Sequence, residues 1–301
     1  MKKILFISDP HYSLRSEKEE DKWFPPICDF LEKMGWHEAI KRFLNFWDVV
    51  TRRAFELMLK KAKTLEPYDL AIGLGDYTPG ANERGMLTQK TQFQFIHFKN
   101  LFDNLIVCPK KLVWGDHDVG YLFNVSKKTG IKIGTESGGV SAESVRIATN
   151  LIGPPFGTFS INGINIVFIA TNLIRNVGES SDERLLRLKL DQENFLAETL
   201  RSSTGSVYLL LHDPTSITDE TAIRKIIDSH REKITAIIHG HLHAEFSRWI
   251  TWIFSPAYRT LYREYKTILV PASWGMMGIG GGFLVINIHD DETYEIKKHK
   301  I

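Results

Sequence analysis

Apolar and polar positions along this chain fall into two rhythms. Five short runs are mainly apolar and rich in β-branched, leucine or aromatic residues: Ile4–Ser8, Leu70–Leu74, Lys111–Trp114, Val207–Leu211 and Ile234–Ile238. Runs of this length and composition predict buried strands. Between them the apolar residues recur at helical spacing, which predicts helices over Ala54–Thr64, Thr88–Leu101, Leu190–Leu200 and Thr218–Arg231. In the helix over Leu190–Leu200, Leu190, Phe195 or Leu196, and Leu200 fall on one side. The segment Thr158–Ile169 predicts a hairpin that turns at Asn162-Gly163. Strands alternating with helices predict an α/β protein. No internal repeat or low-complexity segment interrupts the pattern.

Each of the five strand-like runs ends in carboxylates and imidazoles. The fragments are Asp9-Pro10-His11, Gly75-Asp76, Gly115-Asp116-His117-Asp118, His212-Asp213 and Gly240-His241-Leu242-His243. Such groups repeated at strand ends predict one composite site on the rim of a sheet. Imidazole nitrogen and carboxylate oxygen together suit borderline divalent cations such as Mn, Fe, Zn and Co. The two cysteines, Cys28 and Cys108, adjoin no motif histidine, which leaves neither a zinc-ribbon spacing nor a disulfide framework. Asp9 and His11 are two apart and can converge on one ion at a strand end; His241 and His243 have the same spacing and can converge from the opposite side. Asp76 stands alone after a glycine, which suits a carboxylate shared by two ions roughly 3.5–4 Å apart.

In this order the fragments resemble the signature of the calcineurin-like metallophosphoesterases: D-x-H, G-D, G-N-H-[DE], H, then G-H-x-H. The match runs from residue 4 to 243, and Ile268–Ser273 followed by Gly281–Ile286 looks like the closing strands of that family. A single D-x-H is weak, whereas five fragments in order are specific. The resemblance implies two divalent ions, Mn first and Fe, Zn or Co as alternatives. Asp9, His11 and His243 would hold one ion, Asp116, His212 and His241 the other, with Asp76 between them. His117 would face the substrate as proton donor or stabiliser of the phosphoryl group, and Asp118 would orient His117 or support the loop. The nucleophile implied is a hydroxide carried by the ions, so no protein nucleophile is required. With strands in central layers and helices outside, the expected fold is a four-layer αββα sandwich of two mixed sheets.

Two departures from the family pattern matter. Asparagine is usual where this chain has Asp116. Aspartate adds a negative charge and loses an amide donor, so it coordinates a cation while lowering its Lewis acidity and repelling an anionic substrate. The second departure is Gly75-Asp76-Tyr77-Thr78-Pro79-Gly80, which lacks the further carboxylate and arginine of the protein-phosphatase G-D-x-x-D-R-G element. That argues against the protein-phosphatase branch. Enzymes of the superfamily that cleave UDP-diacylglucosamine tend to carry arginine where this chain has His117, so that likeness is partial.

The chain has 301 residues, of which 43% are apolar, and a formal net charge of +2. The motifs span so much of it that one catalytic domain over residues 1–301 is expected. The charge is too mild to imply nucleic-acid binding. Met1-Lys2-Lys3 runs directly into the first strand, and the apolar run from Ile268 to Ile288 is broken by proline, serine, tryptophan and several glycines. Neither reads as a signal or a membrane span, and a cytoplasmic protein is expected. Two aromatic-rich insertions, at about 13–51 and 244–266, hold five of the seven tryptophans. They either pack on the core or form an apolar lid or groove able to hold an acyl chain or a base, touch a membrane peripherally, or pair subunits.

Arg52, Arg53, Arg248, Arg259 and Arg263 either face a phosphate or are solvated. Tyr12, Tyr77 and Tyr121 adjoin motifs and are candidates for substrate contact. His37, His97, His230, His289 and His299 fit surface or capping roles, and His239 points away from His241. The function expected is phosphoester or pyrophosphate hydrolysis, by a phosphodiesterase or pyrophosphatase acting on a nucleotide or lipid-linked substrate. The alternative is a non-catalytic metal-binding scaffold on the same fold.

Overall fold

The computed structural model describes residues 1–14, 37–79, 88–119, 140–161, 163–175, 182–217, 220–274, 281–291 and 293–301. The N-terminal half builds β1 (Lys2–Ile7), α1 (His37–Lys63), β2 (Leu70–Gly73), α2 (Gln89–Leu105), β3 (Lys110–Leu112), α3 (Asp116–Val119) and α4 (Ala142–Leu151). The second half begins with β4 (Gly157–Ile161), β5 (Ile164–Phe168), α5 (Thr171–Arg175), α6 (Glu183–Ser202) and β6 (Val207–Leu211). It continues through α7 (Ala222–Ser229), β7 (Ile234–His239), α8 (Glu245–Phe254) and α9 (Pro256–Glu264). It closes with β8 (Thr267–Leu269), β9 (Gly282–Ile288) and β10 (Tyr294–Lys300).

The strands form two five-stranded mixed sheets, ordered β10-β9-β1-β2-β3 and β4-β5-β6-β7-β8. In the first, β1, β2 and β3 are parallel while β9 runs antiparallel to β1 and β10. In the second, only the β4–β5 hairpin is antiparallel. A parallel bridge from Ser8 to Ala272 ties the two sheets beside the site.

Alternation along the strands explains the layers. Ile4 and Phe6 of β1 point into a core shared with Ile166, Leu210 and Ile238 of the second sheet. Leu5 and Ile7, one residue out of phase, pack outward on Phe55, Met58 and Phe98 of α1 and α2. On the far side, Leu209, Leu211 and Ile237 pack on Leu196 and Leu200 of α6 and on Leu261 of α9. A strand buried on both faces must be apolar at every position, which is why these runs do not alternate in sequence. The result is the expected αββα sandwich.

Two helices start earlier than expected, and the one predicted from Leu190 begins at Glu183. The helix predicted from Ala54 begins at His37, inside the stretch assigned to the first insertion. No glycine or proline lies between His37 and Lys63, so nothing breaks the helix there. The aromatic residues before His37, together with Tyr121 and Asn162, lie outside the described residues. The second insertion is a pair of helices, α8 and α9. Among the described residues no helix is long and apolar enough to cross a membrane.

Candidate metal centre

All five motif fragments meet at the C-terminal ends of the parallel strands of both sheets. The backbone there is unusual. Among the described residues, the non-glycine positions with positive φ are Asp9 (47°), His11 (41°), Asp76 (54°), His241 (65°) and His243 (55°). Every one belongs to the expected ligand set. Left-handed backbone costs on the order of 1 kcal/mol per residue and persists where surrounding structure holds it, typically at functional sites. Here it turns consecutive ligands inward from chain segments that leave their strands.

Two glycines allow the loops to close. Gly75 has φ of 97°, and a Cβ placed there would lie 2.4 Å from the Gly115 Cα; one on Gly115 would lie 2.1 Å from the Asp76 nitrogen. The loops after β2 and β3 therefore touch backbone to backbone, and no side chain fits between them.

The expected ligands gather in overlapping groups whose donor atoms lie within 4.8 Å of one another: Asp9, His11 and His243; Asp76, His212 and His241. Asp76 sits between the groups. Its Oδ1 accepts the His117 backbone N–H at 2.8 Å, while Oδ2 lies 3.0 Å from His212 Nε2 and 3.8 Å from His11 Nε2. Asp116 joins the second side, its Oδ2 being 3.2 Å from His241 Nδ1. His243 Nε2 is 3.3 Å from Asp9 Oδ1. The structure thus brings all seven expected ligands together.

The donor set fits divalent cations on an independent observation. Asp9 Oδ1, His11 Nε2 and His212 Nε2 are buried and have no hydrogen-bond partner among the described residues. Buried polar atoms are almost always satisfied, and donor atoms left so in both halves of the cluster mark places for cations. Imidazole and carboxylate donors are also the chemistry such ions take.

Electrostatics divide the cluster. Burial, helped by the charge on His117, pushes His11 down to about 3. For His212 burial acts downward too, yet Asp76 and Asp9 hold it well above the ordinary imidazole range. His241 is likewise opposed by burial but raised to about 9 by Asp213 and Asp116. Burial alone would raise Asp9, but His212 and His243 hold it at about 2.

His117 lies at the edge of the cluster, with Nε2 4.0 Å from Asp76 Oδ2 and its ring edge-on to His11 at 4.9 Å. Its Nδ1 meets the Pro79 carbonyl at 2.7 Å, which leaves Nε2 directed at the site. The Asp118 carboxylate accepts backbone N–H groups from Asp76 (2.9 Å), Tyr77 (3.0 Å) and Gly115 (2.9 Å), which is the loop-supporting role of the two expected. Burial and the Asp76 charge push it up to about 8 against those donors.

Other expectations resolve differently. Tyr77 is fully buried and exchanges hydrogen bonds with the Val113 backbone, and Tyr12 packs edge-on to Phe55, so both are core residues rather than substrate contacts. His239 is buried outside the cluster, with Nδ1 3.0 Å from the Gly240 carbonyl. His230 caps α7, as expected. Arg248 pairs with Glu245 and covers the Tyr262 ring, while Arg259 and Arg263 cover Trp252, so these arginines serve the α8–α9 pair. Two residues escaped sequence reasoning. Trp274 lies edge-on to His243 and His11 and donates Nε1–H to the Asp9 carbonyl at 3.1 Å. Asp213, in the His212-Asp213 fragment but without an expected role, forms a further group with Asp116 and His241.

The arrangement defines a two-centred carboxylate–imidazole cluster on the rim of an αββα sandwich. Residues 2–245 match the model of the calcineurin-like phosphoesterases, and the chain belongs to that family of phosphoric ester hydrolases. A search of curated proteins returns no match. Among solved structures, a purple acid phosphatase from yellow lupin (Lupinus luteus) seeds is similar, with 12% identity and a TM-score of 0.46. That alignment covers 80% of this chain and 38% of the lupin chain.

Proposed function

We propose that this protein hydrolyses a phosphodiester or pyrophosphate bond with two divalent ions, Mn first among them, held on the cluster. Asp9, His11 and His243 would hold one ion, Asp116, His212 and His241 the other, with Asp76 between them. The observation that carries the reading is that Asp9 Oδ1 and His11 Nε2 in one half of the cluster and His212 Nε2 in the other are buried with no hydrogen-bond partner among the described residues. When bound, two such ions neutralise phosphoryl oxygens and lower the pKa of water towards neutrality.

The chain's own residues supply the rest. His117, outside the expected ligand set, has Nδ1 committed to the Pro79 carbonyl and Nε2 facing inward, which suits it to hydrogen-bond the phosphoryl group or to give a proton to the leaving oxygen. Water oxygen forms the new bond to phosphorus, the phosphorus–leaving-oxygen bond breaks, and that oxygen takes the proton. Asp118 and the Gly75–Gly115 contact keep Asp76 and His117 in register. Beyond His243, α8 and α9 line a groove of about 320 Å³ with Trp249, Trp252, Tyr258 and Tyr262. Its wall residues Trp252 and Tyr258 pack on Leu242, between the two histidines of the last motif. An aromatic groove on the helices that follow the last motif supports a substrate with a planar or apolar part, a nucleotide or a lipid-linked phosphate.

The test is Mn-dependent hydrolysis of bis-p-nitrophenyl phosphate beside p-nitrophenyl phosphate, with Asp76→Asn as control. Diesterase activity that falls to background in the variant supports the reading. Two ions bound without turnover of either ester, or of a lipid or nucleotide pyrophosphate, would make the protein a scaffold.

A further inference from the structure

We propose that Asp213 is a positioning residue for His241: its buried charge, 3.8 Å from Nε2 of that ring, favours the proton on that nitrogen, so that Nδ1 is presented to the cation beside Asp116. The inference rests on the reading of His241 as a ligand and goes beyond it, because it assigns work to a carboxylate outside the expected set.

The His241 ring stands between two carboxylates. Nδ1 is 3.2 Å from Asp116 Oδ2, and Nε2 is 3.8 Å from Asp213 Oδ1. Its backbone is held as well, with left-handed φ and the N–H donated to Asp9 Oδ2 at 3.0 Å. What remains free is rotation of the ring and the choice of tautomer. A neutral imidazole offers one donor and one acceptor, and a carboxylate on one side decides which nitrogen keeps the proton.

Asp213 is built for that task. It is buried, and it follows directly on His212 at the end of β6. Oδ1 accepts from the Thr215 backbone N–H (2.8 Å) and hydroxyl (2.6 Å), and Oδ2 accepts from the Ser216 hydroxyl (2.7 Å). The Asp213 N–H is donated to Thr171 Oγ1 at 3.2 Å, and Pro214 starts the short 3-10 turn that carries these donors. Three donors on the carboxylate favour its charged form and fix its direction without help from His241. So anchored, the carboxylate acts on His241 through its charge across 3.8 Å rather than from a place in the coordination sphere.

The proposal also separates the two imidazoles of this half. His212 Nδ1 lies 2.6 Å from the Leu74 carbonyl, which keeps the proton on that nitrogen and turns Nε2 inward. His241 would be fixed in the opposite sense, by a carboxylate instead of a carbonyl. Neighbouring ligands would thus use different ring nitrogens.

The experiment is a titration of the purified, chelator-treated full chain with Mn, followed by calorimetry and by electron paramagnetic resonance. It is run on the wild type, Asp213→Ala, Asp213→Asn and Thr215→Val. The expected result is two ions in the wild type, with one of the two affinities lowered roughly 10–100-fold in Asp213→Ala. Asp213→Asn, which keeps an acceptor oxygen, falls less, and Thr215→Val falls least. Nitrogen-15 spectra of the Zn-loaded protein would show the His241 proton on Nε2 in the wild type and a mixture of tautomers in Asp213→Ala. If Asp213→Ala fails to fold, Asp213→Asn carries the test, with a smaller loss confined to the same site and the same tautomer readout. Unchanged affinities with an unchanged tautomer overturn the proposal, as does a stoichiometry of one ion in Asp213→Ala at any Mn concentration, which makes Asp213 a ligand. A wild type that binds no ion overturns the metal centre itself and this role with it.

Discussion

The two halves of the cluster use the same donor types in opposite settings. Around Asp9, His11 and His243 the walls are rings: Trp274 lies 4.8 Å from the His243 ring and 5.9 Å from that of His11, and His117 closes the other edge. His11 is pushed down to about 3 there, chiefly by burial, and stands neutral with a lone pair to give. Around Asp116, His212 and His241 the walls are carboxylates, with Asp76, Asp116 and Asp213 all buried. There the imidazoles are driven upward and hold protons that a cation must displace. The difference teaches that burial alone does not set the charge of a ligand. The second half is as deeply buried, and neighbouring carboxylates reverse the sign.

The comparison can be broken most severely at the residue the halves share. Asp76→Asn should weaken both ions at least about 100-fold in an Mn titration, because the lost charge touches each half. Loss from one half alone would show that Asp76 is not shared. Asp116→Asn acts on the second half only. Its ion should bind roughly 10-fold more weakly while the first is unchanged, and KM for an anionic diester should fall as one repelling charge is removed.

A finer test is the titration of the rings by NMR in chelator-treated protein. His241 should titrate near 9, whereas His11 should stay neutral down to about pH 4. The signs are opposite in stability too. A raised His241 contributes stability that is complete below about 6.5 and is lost as pH rises through 9, while a depressed His11 costs stability as pH falls from 6.5 towards 3. Equal titration of the two rings would end the contrast. The smallest effect should come from Trp274→Phe, which keeps a ring against His11 and His243 but leaves the Asp9 carbonyl without its donor. It should cost about 1–3 kcal/mol in urea denaturation and shift only the first ion's affinity, by a few-fold.

Much of the fold was legible because strands buried on both faces cannot hide. β1, β2, β6 and β7 read as continuous apolar runs, and the charged fragments after them marked the rim. The seven candidate ligands, which the fold gathers in one cluster, could be named from sequence because metal chemistry limits the residue types that can serve. Asp213 was not, since an aspartate before Pro-Thr-Ser reads first as a turn residue, and only the fold shows its carboxylate facing the His241 ring. Nor was the division of labour in Asp118, whose partners are backbone N–H groups that carry no residue identity. The start of α1 at His37 was missed because aromatic composition suggested an insertion, although the absence of glycine and proline up to Lys63 already permitted one helix.

Gly75 and Gly115 give the site a mechanical property as well as room. With their backbones in contact, the loops after β2 and β3 cannot slide or hinge separately. Whatever moves Asp76 also moves Asp116 and His117, so the shared ligand, one side of the second half and the inward imidazole travel as a single block. The remaining ligands, on the loops after β1, β6 and β7, form the other jaw, and the spacing between the two halves is set by how these two blocks seat on each other.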